Sequence, residues 1–217
     1  MEIRAPRTRR VILQAVSPAV TLIGHLKIPV KSLMTVADYE SLRATHILPG
    51  TVLVCRKRLH ASNLIIPGEW KHVAIYIGGP LEEVVEAVYP KVRRIPLKEW
   101  VLKQDYIMAL SPKFARTAQM QRVADLSVTL VGKRYDLLVS YSPNPRVNRA
   151  FYCSEIPWWC YDRILKEDGQ ESSFTPRETM GVPTVVPQDY PNAVPAKWTA
   201  EWQRPRLSTK LVEITAA

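Results

Sequence analysis

Residues 71–88 read KHVAIYIGGPLEEVVEAV, two runs dense in β-branched residues parted by a turn that contains Gly78, Gly79 and Pro80. Such a segment predicts a β-hairpin of KHVAIYIG (71–78) and EVVEAV (83–88). An isolated hairpin is marginal in water, so its apolar face needs further strands or helices. The flanks supply both. HILPGTVLVCRK sets a Pro-Gly turn ahead of a strand at 51–55, and KVRRIPL (91–97) and QDYIMAL (104–110) read as short strands on either side of a helical turn around 97–102. Then the period changes. From Pro112, a good first-turn residue, Ala115, Ala118, Val123, Leu126 and Leu130 are spaced for a helix ending before Gly132. SEIPWWCYDRILKE predicts a second long helix over 154–167. The whole is one α+β domain over residues 46–168, with an antiparallel sheet packed on the later helix.

On either side the pattern is weaker. Residues 1–45 read as a basic and apolar N-terminal arm, with ADYESLRA (37–44) as its best helix. Residues 169–217 form a Pro-rich C-terminal extension with little periodicity before a late strand in TKLVEITA. With 217 residues, 47% hydrophobic, the chain can fill one good core. Only 8 glycines and this apolar content exclude collagenous or disordered chains.

Function classes narrow in the same way. The net charge of +10, with Arg4, Arg7, Arg9 and Arg10 in the first ten residues, suits an acidic partner or an anionic surface. Nucleic acid is not expected, because no binding motif occurs and aromatic residues do not interleave with basic ones. The apolar run VILQAVSPAVTLIGHL is broken by Pro18 and His25 and precedes no A-x-A site, so neither a cleaved signal nor a membrane span is expected. Three cysteines, at 55, 153 and 160, cannot all pair and make no zinc spacing with His25, His46, His60 and His72, so no disulfide scaffold, metal or cofactor is expected.

Three residues carry the candidate chemistry. A turn centred on Gly79 sets His72 directly opposite Glu86, near enough for a carboxylate to hold one imidazole nitrogen. Glu86 sits amid Val84, Val85, Ala87 and Val88, where a carboxylate needs a partner. Cys153 lies in FYCSEI, where an irregular stretch with Pro143, Asn144 and Pro145 gives way to the last helix. At a helix N-terminus the orphan amides and the macrodipole favour thiolate, and Ser154 is positioned to cap. Pro157 argues that this helix begins no earlier than about that residue. Cys55 and Cys160 read as small buried apolar residues.

The ordered set LPGTVLV, KHVAIYIG, VVEA, IPLKEW, VGKRYDLL and FYCSEI resembles the circularly permuted papain-like proteins of the NlpC-type superfamily, over about residues 46–165. In that group the histidine strand comes first and the cysteine helix last. The resemblance implies a thiol-dependent amidase or peptidase with Cys153 as nucleophile, His72 as general base and then acid, and Glu86 as the orienting third member. Tyr135 and Asp136 match a segment that shapes the site. Lys71, Ala74 and Pro157 depart from the usual pattern.

Relatives divide into cell-wall peptide hydrolases, lipid acyltransferases of the lecithin:retinol type and other amidases. Peptidoglycan peptides are the expected substrate, with a lipid acyltransferase or hydrolase as the same-chemistry alternative. A third reading is a non-catalytic structural protein of a large assembly, binding protein partners through residues 1–45 and 169–217. A bacteriophage particle carrying a wall hydrolase, made in the cytoplasm, would join the first and third.

Overall fold

The computed structural model describes residues 32–56, 68–136, 150–171, 176–179, 182–194 and 196–204. The arginine-rich start, the 11–26 run, Pro143–Asn144–Pro145 and TKLVEITA lie outside them. Helix α1 is Val36–Ala44; β1, β2, β3 and β4 are Val52–Arg56, His72–Gly78, Glu83–Val88 and Lys91–Pro96. After these come α2 (Leu97–Val101), β5 (Tyr106–Pro112), α3 (Thr117–Val128), β6 (Arg134–Tyr135), β7 (Ala150–Phe151) and α4 (Glu155–Glu167). The chain continues through β8 (Arg177–Thr179), β9 (Val182–Thr184), α5 (Asp189–Asn192) and β10 (Trp198–Gln203).

Eight of these strands make one sheet in the order β10-β5-β1-β2-β3-β4-β6-β7, antiparallel except for β6–β7. Alternation along each strand divides its side chains between two cores. Val52, Val54, Val73, Ile75, Val85 and Ala87 face Met120 and Val123 of α3 and Ile156, Cys160 and Ile164 of α4. Leu53, Cys55, Ala74, Tyr76 and Val84 face Tyr39 and Leu42 of α1 and Leu97, Trp100 and Val101 of α2. The central strands are therefore buried on both faces, which explains why β1 reads as a continuous apolar run rather than an alternating one.

Two expected boundaries move. Pro112 closes β5 instead of opening a helix, pairing with Trp198 at a point where the β1 ladder has already ended at Val52–Leu110, so its missing N–H costs no bond. α3 begins five residues later, at Thr117. α4 starts at Glu155, earlier than Pro157 was taken to allow, because Pro157 is third in the helix, where the backbone N–H has no helical acceptor in any case.

The strand Trp198–Gln203 was not read from the sequence. Its buried positions, Trp198 and Trp202, are four apart and would share a face in a regular strand, but the register shift between Ala200 and Trp202 turns Trp198 into one core and Trp202 into the other. Trp198 enters the core with Val185 and Tyr190, packing against Phe114, Tyr161 and Tyr190. Among the described residues, no helix is long and apolar enough to cross a membrane.

Candidate active site

The β2–β3 register runs Ala74↔Glu86, Ile75↔Val85 and Tyr76↔Val84, with a shift between Tyr76 and Gly78. Glu86 thus stands opposite Ala74 and not, as the turn arithmetic had it, opposite His72. The irregular turn, with Glu82 at a positive φ of 46°, moves the register by two residues. A slip of two preserves the face, whereas a slip of one would have reversed it. His72 and Glu86 still meet, diagonally, with His72 Nε2 2.7 Å from Glu86 Oε2.

Glu86 is 3% exposed yet fully engaged. Oε2 also accepts from the Trp100 indole N–H at 2.8 Å, while Oε1 accepts from Arg93 Nε at 2.9 Å and Nη2 at 2.7 Å. Burial pushes its pKa up, but hydrogen bonds and charge from His72 and then Arg93 outweigh burial and hold it down at about 2. Neither Arg93 nor Trp100 was singled out from the sequence. Counting outward from the two-residue turn Tyr89–Pro90 would have found the first, since Arg93 is the direct β4 partner of Glu86.

The β2–β3 ladder ends at Ala74–Glu86, so the strands part before Val73. The start of α4 reaches this gap: the Cys153 sulfur accepts from the backbone amides of Val73 and Ser154 and hydrogen bonds to the His72 side chain. Burial opposes ionisation of the thiol, yet the His72 imidazolium and the two amides prevail and bring its pKa below the ordinary thiol value. For His72, burial works against the charged ring; Cys153 and Glu86 overcome it and raise the pKa to about 9. With Nε2 held by Glu86, Nδ1 is the nitrogen left for the thiol proton. Cys160 sits in the apolar core, and burial drives its pKa well up.

Ser154 occupies the cap position of α4 but does not cap it. Its hydroxyl donates to the Val185 carbonyl at 2.8 Å, while the Tyr190 hydroxyl donates to the Ser154 carbonyl at 2.7 Å and the Val185 amide to the Tyr152 hydroxyl at 3.2 Å. The Glu155 carboxylate accepts the Tyr152 amide at 3.3 Å. The segment around 185–190 thereby pins the residues flanking Cys153. On the other side, Tyr135 pairs in parallel with Phe151 and the Asp136 amide donates to the Phe151 carbonyl at 3.0 Å, so this pair lies beside the cysteine loop. Burial, then the Cys153 and Asp136 charges, raise the Tyr135 hydroxyl pKa above the usual phenol value.

The family model of the permuted papain-like amidase enzymes (YaeF/YiiX, C92 family) matches residues 46–195, a span that holds His72, Glu86 and Cys153. The chain belongs to that family. It is an enzyme of the cysteine peptidase or amidase type, a cysteine-type amide hydrolase with a mixed α+β fold compatible with the permuted papain-like architecture. Among solved structures it is similar to metalloprotein yiiX from Escherichia coli O157:H7, at 20% identity and a TM-score of 0.54, over 73% of this chain and 97% of that one. That likeness concerns the fold alone. Comparison with curated proteins finds no match to the chain.

Proposed function

We propose that Cys153 is the nucleophile, His72 the general base and then acid, and Glu86 the residue that orients the imidazole, in hydrolysis of peptidoglycan peptides by an NlpC-type reaction. The observation that carries this reading is the imidazole held at 2.7 Å by a buried carboxylate while it hydrogen bonds to a thiol at a helix start. His72 takes the thiol proton; the thiolate attacks the amide carbonyl; the imidazolium returns the proton to the leaving amine. Water, deprotonated by the same ring, then attacks the acyl-enzyme and frees the acid and the thiol. Glu86 keeps the ring in one tautomer and stabilises its charged form throughout.

The resemblance to NlpC-type proteins supports the wall peptide as substrate, and the net charge of +10 suits an anionic wall. The solved neighbour is titled a metalloprotein. The donor set here does not fit a metal ion: Glu86 is engaged by His72, Trp100 and Arg93, and among the described residues no three His, Cys, Asp or Glu side chains group to hold one.

The test is release of peptide fragments from purified peptidoglycan, read by mass spectrometry, for wild type and Cys153→Ser. Release by wild type and none by the variant is expected. Unchanged release by the serine variant would exclude Cys153 as nucleophile, and hydrolysis of simple acyl amides without release from peptidoglycan would remove the wall substrate.

A further inference from the structure

Of the three side chains that donate to Glu86, only His72 takes part in the proposed reaction. Trp100 is a core residue of α2. Arg93 is neither: its side chain is 46% exposed on β4, yet its Nε and Nη2 both converge on one oxygen of a carboxylate that is 3% exposed. We infer that Arg93 is a positioning residue of the active site: its fork clamps Oε1 of Glu86, leaves Oε2 to hold the His72 ring, and offsets part of the carboxylate charge that the imidazole feels. The inference rests on the Cys153–His72–Glu86 reading.

The geometry explains why a clamp is needed. A glutamate on a strand has three side-chain torsions, and a carboxylate bound only through Oε2 can pivot about it. Two N–H groups on Oε1, set against two on Oε2, remove that freedom. Arg93 can do this because it is the direct cross-strand partner of Glu86. A lysine at the same place would keep the charge but lose the planar fork.

The charge has a separate consequence. The groups facing His72 are Cys153 and Glu86, and those facing Glu86 are His72 and Arg93; beyond the sulfur lie Tyr135, Tyr152 and Asp136. Lys71, the preceding residue, has Arg56 as its charged neighbour. Without the guanidinium, the Glu86 anion acts on the imidazole undiminished, and the ring holds its proton to higher pH. An adjacent opposite charge shifts a titration by about 1–3 units; Arg93 acts across one carboxylate and is half in water, so about one unit is expected.

The experiment follows the rate of Cys153 alkylation by iodoacetamide against pH, which needs no substrate. Wild type should show two inflections, the lower from the thiol and the upper from the imidazolium, with the upper one absent in His72→Ala. Arg93→Met and Arg93→Gln, both neutral, should move the upper inflection up by about one pH unit. Arg93→Lys should leave it within about 0.3 units of wild type while still lowering the rate of amide hydrolysis. Folded neutral variants with an unmoved upper inflection would overturn the inference and leave the thiol–imidazole pair standing. A wild-type profile that His72→Ala does not change would remove the pair itself, and the role of Arg93 with it.

Discussion

Replacing Glu86 by glutamine keeps the shape of a buried side chain and removes its charge. The carboxylate accepts four N–H groups, two on each oxygen. An amide has one oxygen, so its NH2 must face either the Arg93 fork or the His72 and Trp100 donors. Hydrogen bonds to charged groups contribute about 1.5–3 kcal/mol each, and two are lost. Arg93 is half-exposed and water recovers much of its share, which brings the net cost to about 2–3 kcal/mol. Linkage leads to a similar figure independently. Holding Glu86 at about 2 instead of 4.5 stabilises the fold by about 3 kcal/mol. Because the folded value is the lower one, this stability is present above the unfolded pKa of 4.5 and is lost as pH falls through about 2. Urea unfolding at neutral pH and at a series of acidic values tests both. Glu86→Gln should be less stable by about 2–3 kcal/mol near pH 7, with the gap to wild type closing as the pH falls below the unfolded value. Equal stability at pH 7, or parallel acid limbs, would refute the claim that a charged, clamped Glu86 helps hold this sheet together.

Three other outcomes follow from the same geometry. Iodoacetamide at neutral pH should label Cys153 well before Cys55 and Cys160 in the native protein, as peptide mass spectrometry would show; equal labelling would contradict an activated thiol. Tyr190→Phe, which removes the 2.7 Å bond to the Ser154 carbonyl inside the core, should cost about 1 kcal/mol in urea unfolding and slow amide hydrolysis by loosening the loop at Cys153. Gly50→Ala should cost about 2–4 kcal/mol, read as a lowered Tm, since Gly50 has φ of 94° and a Cβ there would lie 2.5 Å from the Met120 carbonyl oxygen; a silent substitution would mean that the turn before β1 can shift away from α3.

Much of this molecule follows from local rules. Runs of β-branched residues between Gly and Pro marked β1 to β4 nearly to the residue, because a short strand needs only neighbours of its own kind and a turn at each end. Period two put His72 and Glu86 on one face, and that parity survived the two-residue error in register. A helix close behind Cys153 was legible from the apolar run that follows it, although Ser154 does not cap it and Pro157 does not set its start.

Tertiary structure decided the rest, for reasons no local pattern holds. Whether Pro112 ends a strand or begins a helix depends on the Trp198 strand beside it, 86 residues away and itself broken by a register shift. Where the Ser154 hydroxyl points depends on the Val185 carbonyl, which lies 31 residues further along the chain. The identity of a thiolate is decided in the same way. FYCSEI supplies a sulfur near helix amides, but the imidazole beside it comes from β2, and the carboxylate that meets that ring is held in place by an arginine from β4 and an indole from α2. Sequence determined which groups were available and which face each one took. The gap where the β2–β3 ladder stops, open to the start of α4, determined which of them meet, because ionisation depends on neighbours in space and only the closed fold chooses those.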